Sequence, residues 1–541
     1  MDPFRETLSV SIATAPAQSP RPTPPGIARA VAALIGFLAV AAALGVANLV
    51  AGLVSPSSSP FLAVGDTVIR YSPPFLTEFA KTTFGTADKP VLLGGMAVVI
   101  GLVAALAGIA SRRTPWIGIT VITVLGVLGL LAVVNAPAFA RSDLLAPVVA
   151  LVVGVGSFQW LHRAALQNHA EPDAGSPARA NGAVARRDVL VGSSLAIGLG
   201  AIGAGVGGQL LATNIGDSRA QVTRQLANAR ITPAPPIPPG ADFAEFGAPT
   251  FITPNPAFYR VDAALLVPSQ AASDWSMRIH GMVDREITLT FDDLLRRPLV
   301  ERTITLTCVS NEVGGRYIST ANFIGVDLRD LLLEAGVQPG ADQVLSTGAD
   351  GGWTAGTPTD VLLEPDRDSM LAIGMNGEAL PPEHGFPVRM VVPGLYGFLS
   401  ATKWLTDIEV TTFAAAQGYW LQRGWGQKAP IKTQSRIDSP RPFATVPAGR
   451  VPVAGIAWSQ PVGIERVEVR ADGGAWRVAE LSTEVNYDTW RMWKAELDLG
   501  SGSHTVQVRA TDRNGITQPE GRVEPIPDGA TGWHSTLFTV G

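Results

Sequence analysis

Apolar residues are concentrated before residue 212, in five runs that carry almost no charge. The runs cover residues 27–54, 90–110, 116–134, 144–161 and 189–211. Each is near the length of about 20 residues that an apolar helix needs to cross the hydrocarbon layer of a membrane. A buried core helix would explain any single run, but five in succession predict a transmembrane region of five helices over residues 27–211.

The arginines between these runs predict how the helices are oriented, because cationic loops stay on the cytoplasmic side. They lie before or at the start of the first run, between the second and third, and between the fourth and fifth: Arg21, Arg29, Arg112, Arg113, Arg163, Arg179, Arg186 and Arg187. This pattern predicts a cytoplasmic tail of residues 1–26 and an extracytoplasmic chain after residue 212. The loop of residues 55–89 conflicts in part, since Arg70, Lys81 and Lys89 fall on the predicted outer side.

Arg186 and Arg187 stand directly before the fifth run, and two interpretations of this pair remain open. A paired arginine at such a position resembles a twin-arginine export signal, a route that carries folded domains. The pair is equally well explained as two further positive-inside residues.

The polar and apolar pattern changes twice after the last run. Residues 212–250 are predicted to be an extended linker, because the stretch of residues 231–240 is too rich in proline to pack as helix or sheet. Residues 251–428 alternate short strand-like runs (277–279, 302–306) with short helical ones (291–295, 328–335), which predicts an α+β domain. Residues 429–541 alternate apolar and polar positions between turns, over 450–457, 465–471, 490–497 and 504–511, which is typical of an immunoglobulin-like antiparallel sandwich.

Composition agrees with this multi-domain division. A chain of 541 residues exceeds what one core usually organises. Its hydrophobic fraction of 46%, charged fraction of 16% and mean hydropathy of +0.23 are too apolar for a wholly soluble protein of this length. We therefore expect a membrane-lipid partner and no nucleic-acid partner.

Cys308 is the single cysteine of the chain, so it cannot form a disulfide within the chain. It could be a small buried hydrophobic residue, as most lone cysteines are. Structural zinc would need about four protein ligands, and neither cysteine nor histidine lies near it in sequence. A nucleophilic role would require a histidine brought close by the fold, such as His280 or His384. The remaining role is that of a soft ligand for a metal whose other ligands come from an organic cofactor.

Several motifs resemble those of one enzyme family. Residues 307–311 (TCVSN) are similar to a Cys-Ala-Gly-Asn stretch, and residues 318–325 (ISTANFIG) to Ile-Ser-Thr-Ala-x-Trp-x-Gly. The strongest match is MNGEALPPEHGFPVRMVVPG at residues 375–394, followed by Gly397 and by Lys403-Trp404. The likeness continues through residues 455–458 (GIAW) to Trp533-His534. This ordered set resembles the sulfite oxidase family, although it does not extend to residues 1–211.

The resemblance implies a molybdenum-pyranopterin (molybdopterin) cofactor whose metal is bound by Cys308. We assign further contacts with that cofactor to Phe258, Tyr259, Ser310, Asn311, His384, Arg389, Gly397 and Lys403. Cationic donors at such positions suit the phosphate or nucleotide end of a pterin. Arg260 and Arg316 are the candidates for binding a substrate oxyanion beside Cys308 as catalytic residues. The family pattern at Arg260 is Phe-x-Arg-Asn-His, and this chain carries Val261 and Asp262 instead, which weakens the assignment of Arg260.

The implied activity is oxygen-atom transfer of sulfite oxidase type by a membrane-anchored enzyme outside the cytoplasm. One alternative is reduction of an S-oxide or N-oxide on the same fold, and another is a membrane binding or adhesion protein with a vestigial molybdopterin fold. The spans are expected to anchor the protein or dock a partner, because only His162 among the histidines lies at the edge of a span. A separate cytochrome or quinone is the expected electron-transfer partner. A homodimer through the sandwich is a further expectation.

Overall fold

The structure is a computed structural model that describes residues 26–54, 58–73, 76, 79–80, 83–84, 87–136, 139, 141–167, 198–199, 202–203, 215–262, 264–265, 267–268, 270–350 and 353–541. Its internal contacts divide the chain into two compact units. The first comprises Met1–Val46, Gly94–Val127 and Val149–Gly203, and the second comprises Ala47–Leu93, Leu128–Val148 and Ala204–Gly541.

Helices are found in both units. In chain order they are α1 (Arg29–Val54), α2 (Pro60–Tyr71), α3 (Asp88–Ala110), α4 (Trp116–Val134), α5 (Leu145–Gln167), α6 (Ile215–Asn228), α7 (Phe291–Leu295), α8 (Leu328–Ala335), α9 (Thr359–Leu363) and α10 (Gly397–Ser400). Four helical stretches of the described chain are long and apolar enough to cross a membrane: Arg29–Val54, Asp88–Ala110, Trp116–Val134 and Arg141–Leu166. They coincide with the first four predicted spans.

Close packing of α1 on α3 depends on two glycines. A Cβ atom on Gly36 would overlap the Ala104 carbonyl, and one on Gly108 would overlap the Ala32 carbonyl. Small residues at such crossings let two backbones approach, which is how apolar helices pack where there is no hydrophobic driving force between them. Residues 1–25 of the predicted tail, most of the fifth predicted span and the Arg186-Arg187 pair lie outside the described residues.

The strands of the second unit form four sheets. Those that precede residue 428, in what we call the middle domain, are β1 (Ile231–Thr232), β2 (Ser276–Gly281), β3 (Ile287–Thr290), β4 (Leu299–Thr307), β5 (Ile318–Asp327), β6 (Gln343–Gly348), β7 (Thr354–Pro358), β8 (Met370–Met375), β9 (Glu378–Ala379), β10 (Arg389–Val391) and β11 (Leu405–Thr411). Those of the C-terminal domain are β12 (Gln434–Ser439), β13 (Thr445–Val446), β14 (Gly449–Trp458), β15 (Ile464–Ala471), β16 (Arg477–Val478), β17 (Glu480–Leu481), β18 (Arg491–Leu499), β19 (Gly502–Asp512) and β20 (His534–Val540).

The middle domain contains two sheets around one core. The first runs β1-β4-β5-β8-β10, with β9 paired to β8, and the second runs β3-β2-β11-β6-β7. Both contribute to the same buried cluster, as Ile304 and Phe323 of the first sheet and Ile279 and Val344 of the second show. The short strands and helices predicted in this region are present, which confirms the α+β pattern.

Helix α6 corrects the prediction that residues 212–250 are only an extended linker. Val222 and Leu226, one helical turn apart, are buried in the core of the middle domain. Arg219 donates hydrogen bonds to the carbonyls of Leu380 (Nε, 2.9 Å) and Ala379 (Nη2, 3.1 Å). The helix is stable because one narrow apolar face is buried, although most of its residues are polar. The proline-rich residues that follow the short strand β1 form neither helix nor strand, and a turn stands at residues 239–240.

The C-terminal domain consists of two sheets that share one apolar core. Their orders are β12-β14-β18-β17 and β13-β20-β19-β15-β16. Val453 and Trp493 of the first sheet and Val467, Val508 and Phe538 of the second belong to the same buried cluster. The four strands predicted from alternation are confirmed as β14, β15, β18 and β19. The immunoglobulin-like topology itself stays a prediction.

Candidate active site

Cys308 follows β4 directly, at the start of the loop of residues 308–317 that joins β4 to β5. Its amide donates to the Tyr317 carbonyl (3.0 Å), and its own carbonyl accepts from the Asn311 amide (3.0 Å). The residue is buried, with 9% of its surface exposed. These two bonds close a tight turn and thereby fix the backbone from which the Cys308 side chain projects.

The Asn311 side chain stabilises the end of this loop at Tyr317. Its Oδ1 accepts a hydrogen bond from the Tyr317 amide (2.8 Å), and the side chain is almost completely buried. Its Nδ2 has no hydrogen-bond partner within the described chain. Ser310 is half-buried in the same turn, whereas Arg316 is exposed and its guanidinium lies 5.9 Å from the ring centroid of Tyr317. Arg316 is therefore at the surface end of the loop.

An aromatic pair lies beside the cysteine loop. Phe258 and Tyr259 are stacked with ring centroids 5.5 Å apart, and Phe258 meets the ring of His384 edge-on at 5.3 Å. A Cβ atom on Gly397 would stand 3.6 Å from both the Tyr259 hydroxyl and the Thr307 carbonyl. Burial raises the pKa of Tyr259, and the neighbouring Cys308 raises it further. Gly397, Tyr259 and Cys308 therefore lie close together in the fold.

His384, Arg389 and Lys403 form a connected basic group. Arg389 is buried and donates from Nη1 to the His384 carbonyl (3.1 Å) and from Nη2 to the Ala401 carbonyl (3.4 Å). Lys403 Nζ donates to the Glu383 carbonyl (3.1 Å). The His384 ring is buried, and its Nε2 lies 3.2 Å from the Asn255 carbonyl.

Burial governs how these three groups titrate. It lowers the pKa of His384 to about 3, with help from the charges of Arg389 and Lys403. It also lowers the pKa of Arg389 to about 10 and that of Lys403 to about 8, the latter against the attraction of Asp262. At neutral pH the group therefore contains a neutral imidazole between two cations.

The sequence predicts that Arg260 binds a substrate oxyanion, but in the structure its guanidinium is paired with a carboxylate of the protein. Its Nε donates to Asp262 Oδ2 (2.7 Å), and its side chain is 42% exposed. Asp262 also accepts from Lys403 (3.2 Å) and from Lys89 (2.8 Å). Burial alone would raise the pKa of Asp262, but these three cations outweigh it and hold that pKa well below its usual range. Arg260 is thus engaged by Asp262 beside Lys403.

Two residues of the C-terminal domain contact the cysteine loop and were not predicted. Arg436 Nη1 donates to the Gly315 carbonyl (2.8 Å). The ring of His534 lies so close to Gly314 that a Cβ atom there would overlap it, and its Nδ1 accepts from the Ile437 amide (2.9 Å). The Trp533-His534 motif is visible in the sequence, but nothing local to it indicates which loop it would touch.

Several buried polar atoms of this site have no hydrogen-bond partner. Within the described residues they include Asn311 Nδ2, His384 Nδ1, Arg389 Nε and Thr307 Oγ1. Each such group costs about 1–3 kcal/mol unless it is hydrogen-bonded. A polar cofactor would satisfy them, so the residues fit a pterin. In the described part of the chain, no three His, Cys, Asp or Glu side chains could together hold a metal ion.

Two family descriptions match the chain. "Oxidoreductase molybdopterin binding domain" matches residues 264–420, and "Mo-co oxidoreductase dimerisation domain" matches residues 427–535. These ranges coincide closely with the middle and C-terminal domains.

Three relatives each match about half of the chain. Sulfite oxidase of Gallus gallus is 32% identical over 344 residues, which covers 54% of this chain and 74% of the relative. Mitochondrial sulfite oxidase of Homo sapiens is 32% identical over 323 residues, covering 51% and 58%. NADH nitrate reductase of Solanum lycopersicum is 32% identical over 336 residues, covering 50% and 36%. The chain thus spans just over half the length of the human relative.

Among solved structures, the sulfane dehydrogenase SoxCD of Paracoccus pantotrophus is similar. It is 25% identical with a TM-score of 0.47, and the match covers 57% of this chain and 88% of that one.

Proposed function

The chain belongs to the sulfite oxidase family of molybdopterin-dependent oxidoreductases, and from that premise we propose that it transfers an oxygen atom to or from a small substrate. When bound, the molybdenum-pyranopterin group supplies two-electron oxygen-atom chemistry. The observation that carries the proposal is the set of partnerless buried polar atoms in the candidate site, namely those of Thr307, Asn311, His384 and Arg389. They also argue against a vestigial fold in a binding or adhesion protein, since each would cost free energy without a ligand.

We assign the chain's residues the following roles. The Cys308 thiolate binds the metal, and Ser310 and Asn311 line the backbone turn around it. Arg389 and Lys403 bind the anionic end of the pterin as cationic donors, and the neutral His384 offers Nδ1 to it. Phe258 and Tyr259 form the apolar wall, and Gly397 leaves room beside the Tyr259 hydroxyl.

The first candidate reaction is oxidation of sulfite or a similar oxyanion. A dianion requires cationic donors at the pocket, and Arg260 and Arg316 are the candidates. Arg316 is exposed on the loop that begins at Cys308, which supports a role in binding the oxyanion as it arrives from solvent.

The second candidate is reduction of an S-oxide or N-oxide, and one observation favours it. The Arg260 guanidinium pairs with Asp262, so the charge that would attract a dianion is partly neutralised.

Steady-state turnover distinguishes the two reactions. Full-length protein is assayed with sulfite and an artificial electron acceptor, and separately with a reduced dye and a neutral S-oxide. Sulfite turnover that falls on Arg316→Gln would support the first candidate. Turnover of the S-oxide alone would support the second. Absence of both activities from molybdenum-loaded protein would contradict oxygen-atom transfer.

Location and partners extend this proposal. Four apolar helices could anchor the enzyme, and the arginine pattern of the sequence supports an extracytoplasmic middle domain. Electrons would then pass to or from a separate cytochrome or a quinone. The match of residues 427–535 to a dimerisation domain supports a homodimer. Protease accessibility in right-side-out and inverted membrane vesicles tests on which side of the membrane the C-terminal domain lies. Cleavage of that domain only in inverted vesicles would contradict an extracytoplasmic location.

A further inference from the structure

Residues of α2 and of the start of α3 contact the middle domain. At the start of α3, Lys89 Nζ donates to both the Oδ1 (2.8 Å) and the carbonyl oxygen (3.2 Å) of Asp262. The Arg70 carbonyl accepts from Arg423 Nη2 (3.0 Å), and the Asp66 carboxyl is hydrogen-bonded by the Leu265 backbone. All of these residues lie in the second compact unit. The beginning of an apolar helix long enough to cross a membrane therefore meets the candidate site directly.

Asp262 connects this helix to the cofactor-binding residues. Its side chain is only 4% exposed and is paired with Lys89 (2.8 Å), Arg260 (2.7 Å) and Lys403 (3.2 Å). Lys403 in turn donates to the Glu383 carbonyl, next to His384. A continuous polar path thus runs from Lys89 through Asp262 and Lys403 to the backbone at His384.

We propose that Lys89 is a positioning residue of the cofactor site, contributed by the membrane-anchoring part of the chain. It acts through Asp262 and does not touch the reacting atoms. The inference rests on the proposed function only for the identity of the group that the site holds.

Charge balance explains what Lys89 adds. One carboxylate and three cations leave the cluster net positive, which favours an anionic group such as a phosphate near Lys403. Without Lys89, the buried Asp262 carboxylate depends on Arg260 and Lys403 alone and draws Lys403 more strongly to itself. The Lys89 side chain is 21% exposed, so water screens its pair with Asp262 less than an exposed ion pair.

Cofactor retention is the first test. Full-length protein in detergent is prepared as wild type, Lys89→Met and Lys89→Arg, and pterin release into buffer is followed by the fluorescence of the oxidised pterin. We expect Lys89→Met to release pterin about fivefold faster, as for loss of a moderate ion pair, and Lys89→Arg to behave as wild type. The matched control is Lys428→Met, because Lys428 is 69% exposed and pairs with the exposed Asp360 at 3.8 Å. Equal release from Lys89→Met and Lys428→Met would overturn the positioning role.

A thermal double-mutant cycle tests the contact itself and does not depend on turnover. Lys89→Met should lower the unfolding temperature by about 2–4 °C when Asp262 is present, and should have little effect in an Asp262→Asn background. The same shift in both backgrounds, or none in either, would overturn the contact. If wild-type protein held no pterin, the proposed function would fail, while this cycle would still decide whether Lys89 and Asp262 interact.

Discussion

The Arg436 guanidinium, from the first strand of the C-terminal domain, donates a hydrogen bond of 2.8 Å to the Gly315 carbonyl in the loop that begins at Cys308. The C-terminal domain also supports β4, because the Trp490 amide donates to Thr305 Oγ1 (2.9 Å). The two domains therefore both fix the backbone of the loop that begins at Cys308. Their interface is part of the candidate site as well as a structural junction.

Arg436 has two partners that mutation can separate. Its Nε pairs with the half-buried Asp438 (2.8 Å), and its Nη1 donates to the Gly315 carbonyl. Arg436→Met alone would leave a half-buried carboxylate uncompensated and destabilise the fold. The double variant Arg436→Met with Asp438→Asn removes that penalty and isolates the lost bond to Gly315. We expect it to keep its unfolding temperature and lose about tenfold in turnover, because small displacements of a reacting centre are costly. Asp438→Asn alone is the control, and equal turnover of the two variants would contradict the role.

Gly314 is predicted to be intolerant of a side chain for two reasons. Its φ is +81°, and a Cβ atom would overlap the His534 ring. Gly340 is a matched control, with a φ of +89° and open space around it. Gly340→Ala should cost about 1 kcal/mol from the left-handed backbone. Gly314→Ala should cost about 1–3 kcal/mol more because of overpacking. Denaturant unfolding of both variants measures the difference, and equal losses would contradict close packing of His534 on the loop.

His534 should make the protein less stable in mild acid. Burial, reinforced by Arg436 and Arg522, lowers its pKa from 6.5 to about 4. Between these values the unfolded chain takes up a proton that the folded chain does not, so stability present above pH 6.5 is lost as the pH falls toward 4. The loss is on the order of 3 kcal/mol at most. His534→Gln should flatten the decline in unfolding temperature between pH 7 and pH 5. Parallel profiles for the variant and wild type would show that His534 does not contribute.

Cofactor binding is expected to require the planar guanidinium of Arg389 and the fixed geometry of its N–H donors. It is 3% exposed, donates to two carbonyls and presents a buried Nε without a partner in the described chain. A lysine keeps the charge but not this geometry. We expect Arg389→Lys to lower pterin and molybdenum content by about tenfold, the loss of a charged hydrogen bond. Arg450→Lys is the control, since Arg450 is 76% exposed. Normal cofactor content in Arg389→Lys would remove Arg389 from the binding site.

Periodicity predicted the regular parts of the fold well. Strict alternation located β14 and β18 to within two residues, because these strands pack one face on a core and expose parts of the other. Helix α6 was missed because its buried face is narrow and the prolines after it indicated a linker. Its stability comes from Val222 and Leu226 packing on strands far away in sequence, which a local pattern does not contain.

In the candidate site, too, local motifs predicted some residues, whereas others could be found only from the tertiary fold. Cys308, Asn311, His384, Arg389 and Lys403 were predicted because they lie in recognisable local motifs. Arg436, His534 and Lys89 were not assigned to the site, since each reaches it only through the tertiary fold. One indication was available: Asp262 at a histidine position implied an additional cation, and Lys89 supplies one.

The central claim is that Cys308 binds a molybdenum held by a pterin. Metal analysis and molybdenum-edge X-ray absorption of the full-length protein, expressed in a host that makes the cofactor, test it directly. We expect stoichiometric molybdenum with a cysteine sulfur in its first shell, and loss of that sulfur in Cys308→Ser. Protein without molybdenum, or an unchanged sulfur shell in Cys308→Ser, would contradict the assignment.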